Sequence, residues 1–258
     1  MDLGLTNQVI FVSGSSRGIG KAIAKSFLAE KARVAISGRN ADDVRESEQE
    51  MAAEFGRENV MSCCGDLTQV VSIRGALKSV YERWGNIDAL VANIGSGRSK
   101  PGWSVEDDEW QRVFELNFFG SVRLVTETLP GMVSGKGGSI VLVSSIAGIE
   151  ASPAPLPYSS AKAALINYAK NLARQLAPEG IRVNAVAPGN ILFPGGSWKK
   201  HLETRKEEVL NHIKAEVPMN RFGTVAEIAD AVVFLSSRRA TFTTGACLVV
   251  DGGQVRSI

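Results

Sequence analysis

The sequence predicts an α/β protein in which one domain, residues 1–258, is built on a doubly wound parallel sheet of about seven strands with helices on both faces. Two observations carry this prediction. Short apolar runs rich in β-branched residues alternate with stretches of helical spacing along nearly the whole chain, and this alternation is typical of a parallel sheet covered on both faces. The first apolar run also ends in a glycine-rich turn that leads directly into the first helical stretch.

The composition excludes several classes of protein. The chain has 258 residues, of which 44% are hydrophobic and 22% charged, and its formal net charge is +2. These values are ordinary for a globular protein with a large core, and they give no reason to expect nucleic acid or an anionic membrane as a partner. The sequence contains no run of 18 apolar residues and no basic signal-peptide region. Three cysteines and two histidines offer neither a disulfide framework nor a zinc motif, so we expect a cytoplasmic protein without a metal site.

The first strand-turn-helix unit has the pattern of a phosphate-binding turn. An apolar run at residues 8–12 ends in the segment 13–20, and helical spacing continues from residue 22. Gly14 would permit the turn, Gly18 would let the backbone approach a phosphate, and Gly20 would let the helix pack closely on the strand. The spacing is G-x-x-x-G-x-G rather than G-x-G-x-x-G, so an ordinary turn is the alternative.

The end of the second strand, at residues 33–37, bears on which nucleotide would bind. An acidic residue at this place would bind the ribose 2′-hydroxyl of NAD, but the sequence has Gly38 followed by Arg39. A guanidinium suits a 2′-phosphate, and Arg17 in the glycine loop offers a second cation. We therefore predict that NADP(H) is preferred over NAD(H); the alternative is that both arginines are simply solvated.

Five further apolar runs complete the predicted sheet, and an insertion follows the sixth strand. The runs span residues 60–64, 87–92, 140–143, 181–187 and 246–250, and a long helix is predicted over residues 105–129. Ligands of open α/β sheets bind beyond the carboxyl ends of the strands. The insertion at about residues 190–217 begins at such an end, so we interpret it as a substrate lid, with His201 and His212 on its surface.

The central helix carries the most distinctive pair of polar residues. Ser145 lies where the fifth strand ends, and three prolines at positions 153, 155 and 157 predict that the helix begins only at Tyr158. Tyr158 and Lys162 are four residues apart and so share one helix face. A lysine ammonium at this place should lower the pKa of the tyrosine, which could then exchange a proton with a carbonyl or alcohol oxygen. The alternative is an accidental pair on a helix surface.

Over nearly the whole chain these residues resemble the short-chain dehydrogenase/reductase family. Their pattern is most similar to that of the family's 3-oxoacyl-(acyl-carrier-protein) reductase-like branch. Asp66 matches the acid that holds adenine, Asn93-Ile94-Gly95 stands where the family has Asn-Asn-Ala-Gly, and Pro188-Gly189 matches the loop beside the nicotinamide. The resemblance implies a Rossmann-like fold and four catalytic residues: Asn117, Ser145, Tyr158 and Lys162. It implies that these residues bind the cofactor: Gly14, Ser16, Arg17, Gly18, Ile19, Gly20, Arg39, Asp66, Leu67, Asn93, Gly95, Tyr158, Lys162, Pro188, Gly189 and Ile191.

The implied reaction is hydride transfer between a nicotinamide and a carbonyl or secondary alcohol group of a small molecule. In the family's mechanism Tyr158 would be the acid/base and Ser145 would polarise the substrate oxygen. Lys162 would lower the pKa of Tyr158 and bind the nicotinamide ribose, and Asn117 would hold a proton-relaying water. The resemblance also implies a homotetramer, or failing that a dimer, through the long helices.

Two departures from the family pattern leave the substrate open. Phe193 stands where the family often has a threonine that contacts the carboxamide of the nicotinamide, and Glu179 is acidic where reductases of carrier-protein substrates tend to be basic. A 3-oxoacyl thioester, a sugar and a small ketone or alcohol therefore remain alternatives. A non-catalytic nucleotide-binding regulator on the same fold is a more remote one.

Overall fold

The protein is described by a computed structural model that covers residues 2–257. A parallel sheet of seven strands in the order β3-β2-β1-β4-β5-β6-β7 forms its centre. The strands are β1 (Val9–Val12), β2 (Arg33–Gly38), β3 (Val60–Cys64), β4 (Ala89–Ala92), β5 (Gly138–Val143), β6 (Ile181–Pro188) and β7 (Cys247–Val250). The direction of winding reverses between β1 and β4, which is where ligands bind in sheets of this kind. The predicted fold class is thereby confirmed.

Helices cover both faces of the sheet. They are α1 (Gly18–Ala29), α2 (Ala41–Phe55), α3 (Val70–Trp84), α4 (Asp107–Phe114), α5 (Gly120–Ser134), α6 (Leu156–Leu176), α7 (Ser197–Thr204), α8 (Lys206–Glu216) and α9 (Val225–Ser236). Alternate strand residues point to opposite faces, so Ile10 packs under α1, α2 and α9, whereas Phe11 packs under α3, α5 and α6. Both side chains are completely buried. The two resulting cores hold the strand ends rigidly in place.

The long helix predicted at residues 105–129 differs from the observed one in its bounds and its regularity. It starts at Asp107 and ends at Ser134, and a π-helical turn, Glu115–Phe119, separates α4 from α5. In this turn the amide of Gly120 donates to the carbonyl of Glu115, five residues back. Such turns lie frequently at functional sites, and this one contains Asn117.

The predicted start of the central helix is wrong by two residues. Helix α6 begins at Leu156 and includes Pro157 in its first turn. The first amides of a helix have no partner within the helix, so a proline there removes no hydrogen bond, and its fixed φ favours the helix. Tyr158 thus lies in the first turn rather than at the boundary.

The insertion at residues 190–217 contains α7 and α8, and we call it the lid segment. It is anchored to the following chain by the bridge between Ile191 and Gly223, where the Leu192 amide donates to the Gly223 carbonyl at 3.0 Å. Across residues 2–257, no helix combines the length and the apolar character that crossing a membrane requires.

Candidate active site

A cavity of about 550 Å³ opens at the carboxyl ends of the strands. It is lined by residues that closely follow each of the first six strands, together with the lid segment and Gln254. All the predicted site residues line this cavity except Gly20 and Asn117. The structure therefore brings together residues that the sequence separates by up to 177 positions, from Gly14 to Ile191.

The glycine loop between β1 and α1 fits a pyrophosphate. Gly14 and Gly18 have φ of 60° and 57°, a conformation that side-chain-bearing residues rarely adopt. Gly20 does not line the cavity: a Cβ on it would lie 2.3 Å from the Gly14 carbonyl oxygen, so its role is to let α1 pack against the loop. No side chain caps the start of α1. Its first amides therefore remain available to an anion, which the helix dipole also attracts.

The lid segment contacts this loop through Phe193. A Cβ on Gly18 would lie 2.6 Å from the Cε2 atom of Phe193, so the ring lies directly against the glycine. Gly195 lies beside the guanidinium of Arg17, with 3.7 Å between a Cβ on it and Nη1. The residue that departs from the family pattern thus joins the lid segment to the glycine loop.

The cavity is rich in cations at the ends of β1 and β2. Arg17 and Arg39 are both exposed, and neither forms an ion pair with any residue between positions 2 and 257. A Cβ on Gly38 would lie 3.0 Å from Ser16 Oγ, so the serine hydroxyl fills the space that a larger residue would need. The Asp66 carboxylate accepts from the amide and hydroxyl of Thr68 at 3.1 and 2.9 Å, which fixes the loop after β3.

Asn93 connects the end of β4 to the glycine loop. Its side-chain Nδ2 donates to the carbonyls of Ser13 and Gly14 at 3.3 and 3.0 Å. Its backbone N–H donates to Ser13 Oγ at 2.8 Å. Asn93, which the resemblance assigns to cofactor binding, therefore holds the glycine loop in position by hydrogen bonds to Ser13 and Gly14.

Tyr158, Ser145 and Lys162 meet at the cavity wall formed by β5 and α6. The Lys162 Nζ donates to the Val143 carbonyl at 2.9 Å and lies 5.9 Å from the centre of the Tyr158 ring. The Ser145 Oγ accepts from the Ala147 amide at 3.2 Å, which orients this hydroxyl at the end of the strand. The three side chains could together hold and move a proton on a substrate oxygen.

The pKa values differ from the sequence-based expectation. Burial raises the pKa of Tyr158 above its usual value, and an interaction with the Ser145 hydroxyl opposes this rise only in part. Burial also lowers the pKa of Lys162 to about 8. The net direction is the opposite of the lowered pKa that the sequence predicts, because desolvation of the Tyr158 phenolate is the largest effect.

Asn117 lies behind the cavity rather than in its wall. It is completely buried in the π turn, its Oδ1 accepts from the Ser96 amide at 2.9 Å, and its Nδ2 donates to the Val113 carbonyl at 3.0 Å. A Cβ on Gly95 would lie 2.8 Å from Asn117 Oδ1 and 3.2 Å from Lys162 Nζ. Asn117 therefore holds the loop after β4 against the lysine.

Sequence reasoning missed several residues at the other end of the cavity. His201 and His212, which the sequence places on the surface of the lid, line the cavity, where they flank Trp198. The Trp198 and His212 rings stack with centroids 5.4 Å apart, and His201 meets Trp198 edge-on at 5.7 Å. Helical spacing could have predicted the contact between Trp198 and His201, since the two are three residues apart. Nothing in the sequence connects His212 to either residue.

Three polar side chains in the cavity wall have a buried atom with no hydrogen-bond partner among the described residues: Ser152 Oγ, Asn190 Nδ2 and Gln254 Oε1. Asn190 directly follows Pro188-Gly189, so its free donor lies beside the predicted nicotinamide loop. Buried polar atoms are paired in the great majority of proteins. These atoms are therefore candidates for ligand contacts.

Comparisons with known proteins agree with this geometry. The profile of a family described as enoyl-(acyl carrier protein) reductase matches residues 14–254. The chain is 33% identical to a 3-oxoacyl-(acyl-carrier-protein) reductase of Aquifex aeolicus, covering 98% of this chain and 100% of that protein. L-sorbose reductase from Gluconobacter frateurii, solved with NADPH and L-sorbose, has a TM-score of 0.93 and 32% identity over all of both chains. A 7α-hydroxysteroid dehydrogenase solved with NADH has a TM-score of 0.90 and 30% identity, covering 99% of this chain and 97% of that one.

Proposed function

Because the chain belongs to the short-chain dehydrogenase/reductase family, whose members act on CH–OH groups with a nicotinamide cofactor, we propose that it is an NADP(H)-dependent carbonyl reductase or alcohol dehydrogenase. One observation carries the proposal: the hydroxyls of Tyr158 and Ser145 and the amine of Lys162 converge in the cavity that begins at the glycine loop. An oxidoreductase of this kind needs a proton donor beside the carbon that accepts the hydride.

The cofactor would occupy the cavity along the strand ends. Its nicotinamide supplies the hydride or accepts it. The glycine loop and the first amides of α1 would hold the pyrophosphate, Asp66 and Leu67 would contact the adenine, and Gly95, Pro188, Gly189 and Ile191 would lie near the nicotinamide. The unpaired Nδ2 of Asn190 would serve the carboxamide in place of the threonine that Phe193 replaces.

The preference for NADP(H) is supported by charge. Arg17 and Arg39 have no partner among the described residues that would compete with a 2′-phosphate, and the ends of β1 and β2 offer no carboxylate to repel it. Related structures contain NADPH in one case and NADH in another, so both cofactors occur among proteins of this fold. The choice in this chain rests on its own arginines.

The chain's own residues would move the proton. A raised pKa keeps the Tyr158 hydroxyl protonated at neutral pH, so it can donate to a carbonyl oxygen that Ser145 also contacts. Lys162, with a pKa of about 8, exists in both protonation states near neutrality and so can exchange a proton with its surroundings. Phe193 and the lid segment would exclude water from the site.

The substrate alternatives within this function are a 3-oxoacyl thioester, a sugar and a small ketone or alcohol. Relatives include a reductase of the first class and a solved L-sorbose reductase of the second. We also propose a cytoplasmic homotetramer or dimer. The assembly is supported by Phe119 and Leu156, which are 44% and 46% exposed on the helices that the family resemblance places at an interface.

The function is tested by hydride transfer itself. Purified protein with NADPH and a panel of ketones, ketoses and 3-oxoacyl thioesters should oxidise NADPH, read as loss of absorbance at the nicotinamide band. Tyr158→Phe keeps the ring and removes the proton, so turnover should fall at least ~10²-fold. Nicotinamide fluorescence should report nearly unchanged cofactor binding. A variant as fast as the wild type would refute the assigned role, and binding of NADPH without turnover of any substrate would favour the non-catalytic regulator.

A further inference from the structure

Residues 193–196, which we call the lid tip, form a tight turn that lies over the glycine loop. The Gly196 amide donates to the Phe193 carbonyl at 3.1 Å, Pro194 follows Phe193, and Gly195 has φ of 75°. A proline at the second position and a glycine with positive φ at the third are the signature of a type II turn. The turn therefore holds the backbone at Phe193 in a defined conformation.

The ring of Phe193 lies between two glycines. A Cβ on Gly18 would lie 2.6, 2.9 and 3.1 Å from the Cε2, Cδ2 and Cζ atoms of the ring, and a Cβ on Gly196 would lie 3.0 Å from its Cζ. The ring also packs against the apolar core under α1. It thus fills the space beside Gly18 that a side chain at that position would need.

This space has a function in a strand-turn-helix unit that binds a nucleotide. A glycine at the place of Gly18 lets the backbone come close to a pyrophosphate, because no side chain stands between them. The space that the missing side chain leaves is the space in which the Phe193 ring atoms lie. The ring and a phosphate in contact with Gly18 therefore exclude each other.

The lid tip also lies beside one of the two cations proposed for the 2′-phosphate. A Cβ on Gly195 would lie 3.7 Å from Nη1 of Arg17, the residue that directly precedes Gly18. One turn of the lid segment thus covers both the glycine that a pyrophosphate would approach and a guanidinium that a phosphate would attract.

The contact between the lid tip and the glycine loop is apolar. In the chain from residue 2 to residue 257, the backbone hydrogen bonds next to Phe193 run from Leu192 to Gly223 and from Gly196 to Phe193, and none reaches the glycine loop. Moving the tip away therefore breaks packing contacts but no hydrogen bond. It also exposes the uncapped first amides of α1, with which a pyrophosphate can pair.

We propose that Phe193 is a gate for the cofactor: its ring competes with the pyrophosphate for the space beside Gly18, so the lid tip must leave the glycine loop before NADPH binds. The inference rests on the proposed function, since it concerns the same cofactor site. It gives Phe193 the opposite effect to the threonine that the family often has there. A side chain that contacts the carboxamide strengthens binding, whereas this ring weakens it.

The test measures binding of NADPH to wild type and to Phe193→Ala by stopped-flow nicotinamide fluorescence, without substrate. If the ring covers Gly18 in about nine molecules of ten, its removal should lower the Kd about tenfold. This ratio corresponds to about 1.4 kcal/mol, which burial of part of one phenyl ring can supply. Because the ring has already moved in the bound protein, the gain should lie in the association rate constant, and the dissociation rate constant should stay within about twofold.

A second ligand and a matched variant separate the gate from a general loosening of the lid segment. Adenosine 2′-monophosphate carries the 2′-phosphate but no pyrophosphate, so its affinity, measured by calorimetry, should be the same within about twofold in wild type and Phe193→Ala. Phe222→Ala removes a ring that packs on Trp198, with centroids 5.6 Å apart, but that is not among the described residues of the cavity lining. This variant should bind NADPH as the wild type does.

Thermal unfolding at the wild-type temperature confirms that each variant is folded. If Phe193→Ala fails this check, Phe193→Leu takes its place. Leucine keeps an apolar side chain but not the ring, so this variant should show a smaller gain, again in the association rate constant.

Two kinds of result would overturn the inference. Weaker NADPH binding or an unchanged association rate constant in Phe193→Ala would show that the ring is a wall of the cofactor site and not a competitor. An equal gain in Phe222→Ala, or for adenosine 2′-monophosphate, would show that the lid segment is merely loosened. NADPH binds in all these cases, so the proposed function would stand. If neither wild type nor variant bound NADPH or NADH, the proposed function would fail, and the inference with it.

Discussion

Replacing Lys162 with methionine should change how the stability of the protein depends on pH. Burial lowers the pKa of this lysine to about 8 in the folded protein, from an ordinary value of 10.5. Between these two values the unfolded chain binds more protons than the folded chain, so the free energy of unfolding rises with pH across this window. At about 1.4 kcal/mol per pKa unit, the rise due to Lys162 is about 2 kcal/mol between pH 7 and pH 9.5.

The assay is urea unfolding followed by tryptophan fluorescence at pH 7, 8, 9 and 9.5, without cofactor and at one protomer concentration. Lys162→Met has a similar length but no titrating group, so the free energy of unfolding of the wild type minus that of the variant should grow by about 2 kcal/mol over this range. Lys170→Met, at an exposed position of the same helix, should run parallel to the wild type. Parallel curves for Lys162→Met as well would show that Lys162 is not desolvated, and the assignment of a near-neutral amine to the site would fail.

Other predictions concern the cofactor, the assembly and the glycine loop. Arg39→Asp should reverse the preference for NADPH over NADH, because it removes a partner of the 2′-phosphate and adds a carboxylate that repels it. Even one net contact of about 1.4 kcal/mol gives a tenfold ratio between the kcat/KM values for the two cofactors. An unchanged ratio would mean that Arg39 is only solvated. Light scattering at micromolar concentration should give a tetramer or dimer, and the mass of one chain would refute the assembly. Gly20→Ala, whose Cβ would meet the Gly14 carbonyl at 2.3 Å, should weaken NADPH binding measured by nicotinamide fluorescence, and binding as tight as the wild type would show that the loop adapts.

Most strands could be predicted from the sequence because they are buried apolar runs in a parallel sheet; the edge strand β7 is apolar but has no buried residue. The run at residues 60–64 coincides with β3, and the others agree within one or two residues at each end. A strand covered on both faces is apolar at most positions, and polar or small residues mark where it leaves the core. The same signal placed the cavity, since the polar residues that follow these strands lie at one edge of the sheet.

The helix boundaries were less predictable because local rules compete there. The three prolines delayed the predicted start of α6, yet the first turn of a helix tolerates Pro157. The π turn at Glu115–Phe119 has no sequence signal of its own. Within it the Ser96 and Val113 backbone holds the Asn117 side chain, and the contact with Ser96 forms only in the folded chain.

The candidate site likewise contains residues that local motifs place and residues that only the fold brings together. The glycine loop, Tyr158 and Lys162 lie in local motifs, and the spacing within each motif is sufficient to place them. Gln254, Ser152 and His212 belong to no motif, and they line one cavity only because the fold brings the loop after β5, the lid segment and the residues after β7 to the same edge of the sheet. The pKa of Lys162 was likewise beyond sequence reasoning, because it depends on burial beside the Val143 carbonyl.

This division explains why similarity to relatives does not select a substrate. The chain is 33% identical to a carrier-protein reductase and 32% identical to a sorbose reductase, and the residues of the cofactor loop and of the central helix would be needed by either reaction. Discrimination must instead come from groups at the far end of the cavity, where a buried amide or hydroxyl rejects a ligand that cannot pair with it.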